Sequence, residues 1–123
     1  MVRNPRFLAA ALFCAAALAS AGATAQSSAD ARWAVATETL ACSSYADALP
    51  LLRSAAEAGS VEAQELLGWL YYEGARVEGG VQRDPAEARR WLRLAAEDGR
   101  ARAQALYTAL EMEGESGTRV AGR

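Results

Sequence analysis

Ala55-Ala56-Glu57-Ala58-Gly59 returns as Ala95-Ala96-Glu97-Asp98-Gly99, and the offset of 40 residues between the two decides the fold. The same offset carries Ala46-Asp47-Ala48 onto Ala86-Glu87-Ala88 and Leu52-Arg53 onto Leu92-Arg93. It also carries Ala63-Gln64 onto Ala103-Gln104, Leu66 onto Leu106, Leu70 onto Leu110, Glu73 onto Glu113 and Gly74 onto Gly114. One shared offset over so many pairs marks a chain built from a repeated unit, each copy covering the apolar face of its neighbour.

The local grammar of each copy is helical. Asp84-Pro85-Ala86-Glu87 supplies an N-cap acid, a Pro at the first helical position and a Glu three residues after the cap. Ala88, Trp91, Leu92, Ala95 and Ala96 follow at helical spacing until Gly99 stops the helix. Ser43 or Ser44 caps the equivalent earlier helix, which runs to Gly59. Ser60 caps the next, with Glu62 in its first turn, and that helix carries Val61, Ala63, Leu66, Leu67, Leu70 and Tyr71 up to Gly74. Ala29 to Leu40 also reads as helix, and no stretch shows the sustained alternation of a strand. The expectation is an all-α domain of about five helices.

The segment Ala63-Gln64-Glu65-Leu66-Leu67-Gly68-Trp69-Leu70-Tyr71-Tyr72-Glu73-Gly74 resembles the first helix of a Sel1-like repeat. Gly80-Val81-Gln82-Arg83-Asp84, Ala88-Arg89-Arg90-Trp91 and Ala95-Ala96-Glu97-Asp98-Gly99 resemble its later parts. The match is most specific over 63–104, with partial copies on either side. The resemblance implies a short right-handed α-solenoid of antiparallel hairpins, related to the tetratricopeptide arrangement. One departure is Ala75 to Gly79, which lengthens the loop between the two helices; such insertions cost little loop entropy. The last copy is degenerate: Leu67, Gly68 and Tyr71 become Tyr107, Thr108 and Glu111, as suits a terminal helix with a polar outer face. The repeat domain is placed at 26–114 and a disordered tail at 115–123.

Residues 1–25 read as a cleaved secretory signal peptide: Arg3 and Arg6, an apolar run from Phe7 to Leu18, then small residues ending in Ala23-Thr24-Ala25. An uncleaved anchor is the alternative, although the run falls short of the ~20 residues that span a bilayer. Phe13 stands before Cys14, where a lipoprotein needs a small residue. The reading therefore expects a periplasmic or secreted protein that does not span the membrane after cleavage. All 13 basic residues are Arg and no His is present, a composition that with the abundant Ala hints at GC-rich bacterial coding.

Cleavage after Ala25 leaves 11 Arg against 15 acids, a net charge of −4, which disfavours nucleic acid as a partner. It also leaves Cys42 as the single cysteine, either a partly buried small residue or one half of an intermolecular disulfide. So small a domain leaves room for self-association to add stability.

Gly68 inside a helix costs about 1 kcal/mol relative to Ala and marks close approach of the partner helix, where Ala88 and Ala95 are also small. Trp91 and Tyr71 fall in the core phase. Trp69 and Tyr72 fall outside the stripe of Leu67, Gly68 and Tyr71, with Glu62, Glu65 and Glu73 on the same broad face. Rings give area and acids select for cations, so these five residues are the candidate partner surface, for a basic protein or peptide segment. The alternative is that both rings pack against the N-terminal helix. Arg89, Arg90 and Arg93 read as a solvated helix face, with Glu97 one turn beyond Arg93.

The chain offers no catalytic, cofactor-binding or metal-ligating set. It lacks His, paired Cys, a phosphate-binding glycine loop and a nucleophile elbow. The resemblance implies an adaptor or regulator; exported members of that family regulate membrane sensor kinases or serve envelope polysaccharide machinery. Two other readings remain: an accessory subunit of an envelope assembly, and a hydrolase of cell-wall material. Cysteine-rich relatives discussed as β-lactamases rely on paired Cys, which this chain lacks.

Overall fold

A computed structural model describes residues 20–121, with side-chain surroundings for 25–74 and 76–117. Five helices follow one another: α1 Ser20–Cys42, α2 Tyr45–Glu57, α3 Val61–Glu73, α4 Pro85–Glu97 and α5 Ala101–Ala121. No strand occurs among the described residues. α3 packs on α2, α4 and α5, while α1 packs on α2. The result is the expected all-α stack of antiparallel hairpins. Among the described residues no helix is long and apolar enough to cross a membrane.

The starts of the helices follow from their caps. Ser44 Oγ accepts from the Asp47 amide at 3.3 Å, and Ser60 Oγ accepts from Ala63 at the same distance. Asp84 accepts from Ala86 at 3.0 Å and Glu87 at 3.1 Å, ahead of Pro85. Each satisfies amides that the first turn leaves without a partner.

The two copies of the repeat close their turns alike. Ser60 N donates to Ala55 O at 3.0 Å, and Arg100 N donates to Ala95 O at 3.1 Å, across glycines with φ of 102° and 86°. These are Schellman-type stops, and the positive φ explains Gly59 and Gly99. The glutamines match as well: Gln64 Nε2 donates to Ala56 O at 3.2 Å and Gln104 Nε2 to Ala96 O at 3.4 Å. Each Gln ties the start of one helix to the end of the helix before it.

The core is a continuous cluster holding Leu52 of α2, Leu67, Leu70 and Tyr71 of α3, and Trp91 and Leu92 of α4. Trp91 is buried, its indole N–H donating to Glu87 at 3.0 Å. Gly68 lies against α4 at Leu92: a Cβ added there would stand 2.5 Å from Leu92 Cγ and 3.1 Å from its backbone nitrogen. The interior glycine is therefore a packing residue, and Leu92 is what it makes room for.

Three boundaries differ from expectation. The inserted loop forms a 3₁₀ turn over Gly74–Arg76 and then folds back on α2, where Gly79 O accepts from Ala46 N at 2.9 Å. The insertion thus caps the N-terminus of a neighbouring helix. α5 runs on to Ala121 rather than stopping at Gly114 with a tail over 115–123. Neither Gly114 nor Gly117 takes a positive φ there, so both stay within the helical ladder that Ser116 joins by bonding Met112 O at 2.9 Å. α1 begins at Ser20, so the expected cleavage point after Ala25 falls within it, whereas residues 1–19, with Cys14, lie outside the described residues. Cys42 is exposed rather than partly buried, because it closes α1 at the edge of the stack.

Substituting Gly68→Leu should destabilise the chain by about 1–3 kcal/mol through overpacking. Thermal unfolding reads the loss, and Leu92→Ala in the same chain should recover part of it by vacating the space. An unchanged melting temperature would show that α3 and α4 do not meet at this point.

Candidate functional site

The expected partner surface lies on α3, and the capped start of that helix fixes its phase. With Ala63, Leu67, Leu70 and Tyr71 buried toward α2 and α4, the flank carrying Glu62, Glu65, Trp69, Tyr72 and Glu73 turns toward α5. The 40-residue register sets what it meets there, because α5 runs beside α3 in the same direction.

The five residues separate into two groups. At the first end, Arg100 pairs with Glu62 and, at 3.8 Å, with Glu65. These three residues, with Trp33 of α1, Leu66 of α3 and Arg102 of α5, line an open cleft of about 210 Å³. The cleft is shared by the first helix of each successive unit. Further along, Trp69 is half-buried. Its ring meets Tyr45 edge-on, centroids 6.0 Å apart, and the Arg102 guanidinium lies over it at 5.3 Å.

At the second end, Tyr72 donates its hydroxyl to Glu113 at 3.3 Å. Arg83 bonds Tyr72 O at 3.0 Å, pairs with Glu113 at 2.5 Å and lies over the Tyr72 ring. Burial, then the charge and hydrogen bond of Glu113, hold the Tyr72 phenol above its ordinary range, against the opposing pull of Arg83. Glu73 pairs with Arg76 at 3.8 Å. This end is a latch between α5 and the loop that joins α3 to α4.

The two rings are therefore not freely exposed, and each meets a partner outside α3. Trp69 packs on the first residue of α2, and Tyr72 on Arg83 of the α3–α4 loop and on Glu113 of α5. The carboxylates expected to select a basic segment are already paired within the chain. Helical phase identified the flank but could not show what covers it. Trp33, Leu66 and Arg102 also line the groove, and the repeat register carried part of the signal: Arg102 stands 40 residues after Glu62, so it lies beside the start of α3.

The basic face of α4 is engaged as well. Arg89 pairs with Glu111 at 2.6 Å, Arg90 with Glu87 at 3.7 Å and Arg93 with Glu97 at 3.7 Å. On the same side Arg53 donates to the Tyr71 hydroxyl at 2.6 Å and pairs with Glu87 at 3.5 Å. These are partly exposed pairs that hold register more than they add stability. Among the described residues no group of three or more His, Cys, Asp or Glu is placed to hold a metal ion.

Residues 61–99, from the start of α3 to the glycine after α4, match the Sel1 repeat family. That hairpin is therefore a Sel1-like repeat within the all-α stack. Sel1 repeats generally mediate contacts between proteins and are regarded as non-catalytic modules. No curated protein and no solved structure matches the chain.

A double-mutant cycle on Arg83→Ala and Glu113→Ala should give a coupling of about 1 kcal/mol or less, falling further at high salt, since both side chains are about half exposed. A coupling that is larger and indifferent to salt would mean that the latch is desolvated and supports the fold.

Proposed function

We propose that the chain is an exported adaptor of the bacterial cell envelope that binds a partner protein through the groove shared by α1, α3 and α5. The observation that carries this is the cleft lined by Trp33, Leu66 and Arg102, with Trp69 half-buried beside it. Aromatic and aliphatic side chains at the floor of an open groove offer contact area at little entropic cost, and Arg and Trp are frequent anchors of protein interfaces. Glu62, Glu65, Trp69, Tyr72 and Glu73 remain its expected rim, with Trp69 the anchor and Tyr72 a wall locked by Glu113.

The export reading is supported by the basic start, the apolar run and the Ala-Thr-Ala ending before Gln26. A basic partner, by contrast, draws no support from this groove, because its carboxylates already face Arg100. The non-catalytic reading accords with a chain that has no His and no paired Cys once cleaved.

Two measurements test the proposal. The exported chain should begin at Gln26 on N-terminal sequencing; an intact Met1 end recovered from the envelope would contradict cleavage. With a partner in hand, Trp69→Ala should weaken binding tenfold or more, about 1.4 kcal/mol, when measured at a temperature where circular dichroism shows the variant still folded. Full affinity in that variant would move the partner site off the groove.

A further inference from the structure

Almost every described arginine has a carboxylate within reach; among those whose side chains are described, Arg32 and Arg102 are the exceptions. Arg32 donates instead to Ser54, reaching its hydroxyl at 3.1 Å. Arg102 has no hydrogen-bond acceptor among the described residues. Its guanidinium is exposed, rests over Trp69 and lines the groove.

A guanidinium is a planar fork of five N–H donors that matches the two oxygens of a carboxylate. Stacking on an aromatic face restricts its orientation without using those donors. The Trp69 ring is itself held edge-on by Tyr45, so Arg102 is mounted on a fixed support. The nearby acids do not compete for it: Glu62 and Glu65 both turn to Arg100. A basic segment entering the cleft would find no free carboxylate and would have to break the Arg100 pairs. An acidic segment would find a guanidinium with every donor open.

We propose that Arg102 receives a side-chain carboxylate from an acidic segment of the partner protein, while an apolar side chain of the same segment seats between Trp33 and Leu66. The assignment rests on the groove being the partner face, and it replaces the basic partner expected from the carboxylates alone.

The test uses the full chain expressed with its leader, labelled with ¹⁵N, and three acetylated, amidated peptides: Gly-Glu-Leu-Glu-Gly and its Gln and Lys counterparts. Resonances of the Trp33 and Trp69 indole N–H and the Arg102 Nε–H report on the groove even when binding is weak. The Glu peptide should shift all three saturably and bind at least tenfold more tightly than the Lys peptide. Arg102→Gln should abolish that preference, whereas Arg93→Gln, on the paired face of α4, should keep it.

Equal or tighter binding of the Lys peptide overturns the acidic assignment and leaves the groove standing, as does a Glu preference that survives Arg102→Gln. A Gly-Gly-Gly-Leu peptide with a free carboxyl end that alone prefers the wild-type groove overturns the side-chain source. If no peptide moves the groove resonances, the groove reading fails together with the proposal.

Discussion

The close approach of α3 and α4 at Gly68 and Leu92 is the constraint on which the rest of the molecule depends. With no side chain on Gly68, Leu92 sits against the backbone of α3, and Trp91 and Tyr71 belong to the same buried cluster. Interiors are packed at crystal-like density, so two helices meeting this closely have little freedom to slide or rotate. Their crossing settles which flank of α3 is buried and which is left for α5.

From that point the repeat carries the geometry forward. Matching Schellman-type turns at Gly59 and Gly99 return the chain along similar paths, and Gln64 and Gln104 tie each new helix to the end of the last. α5 therefore starts beside α3 and runs parallel to it, which brings Arg100 to Glu62 and Glu113 to Tyr72. The lengthened α3–α4 loop does not disturb this order, because Gly79 docks on the N-terminus of α2 and Arg83, further along, on Glu113. The groove is what remains between the first helices of successive units once these contacts are made.

The hairpins, their caps, the packing role of Gly68 and the buried state of Trp91 were legible in the sequence, because each depends on local spacing or on the 40-residue offset. The state of Trp69 and Tyr72 was not, since phase reports the direction of a side chain but not whether another element arrives to meet it. The pairing of Glu62 and Glu65 was hidden for a related reason: charge composition does not say that one arginine answers both. Cys42 and the reach of α5 depend on where the stack ends, which local patterns do not state. The unmatched guanidinium of Arg102 emerges only when every ion pair in the fold is known.

The repeat supplies the hairpin, and among the described residues the groove presents Trp33, Leu66 and the open guanidinium of Arg102, which rests on Trp69 beside paired charges. The most direct measurement is site-specific photocrosslinking in the producing cell, with a short photoreactive side chain placed in turn at Leu66 in the groove and at Arg93 on the opposite layer. The account predicts one discrete adduct from position 66 and none from position 93. Adducts of equal yield from both positions, or from position 93 alone, would contradict it.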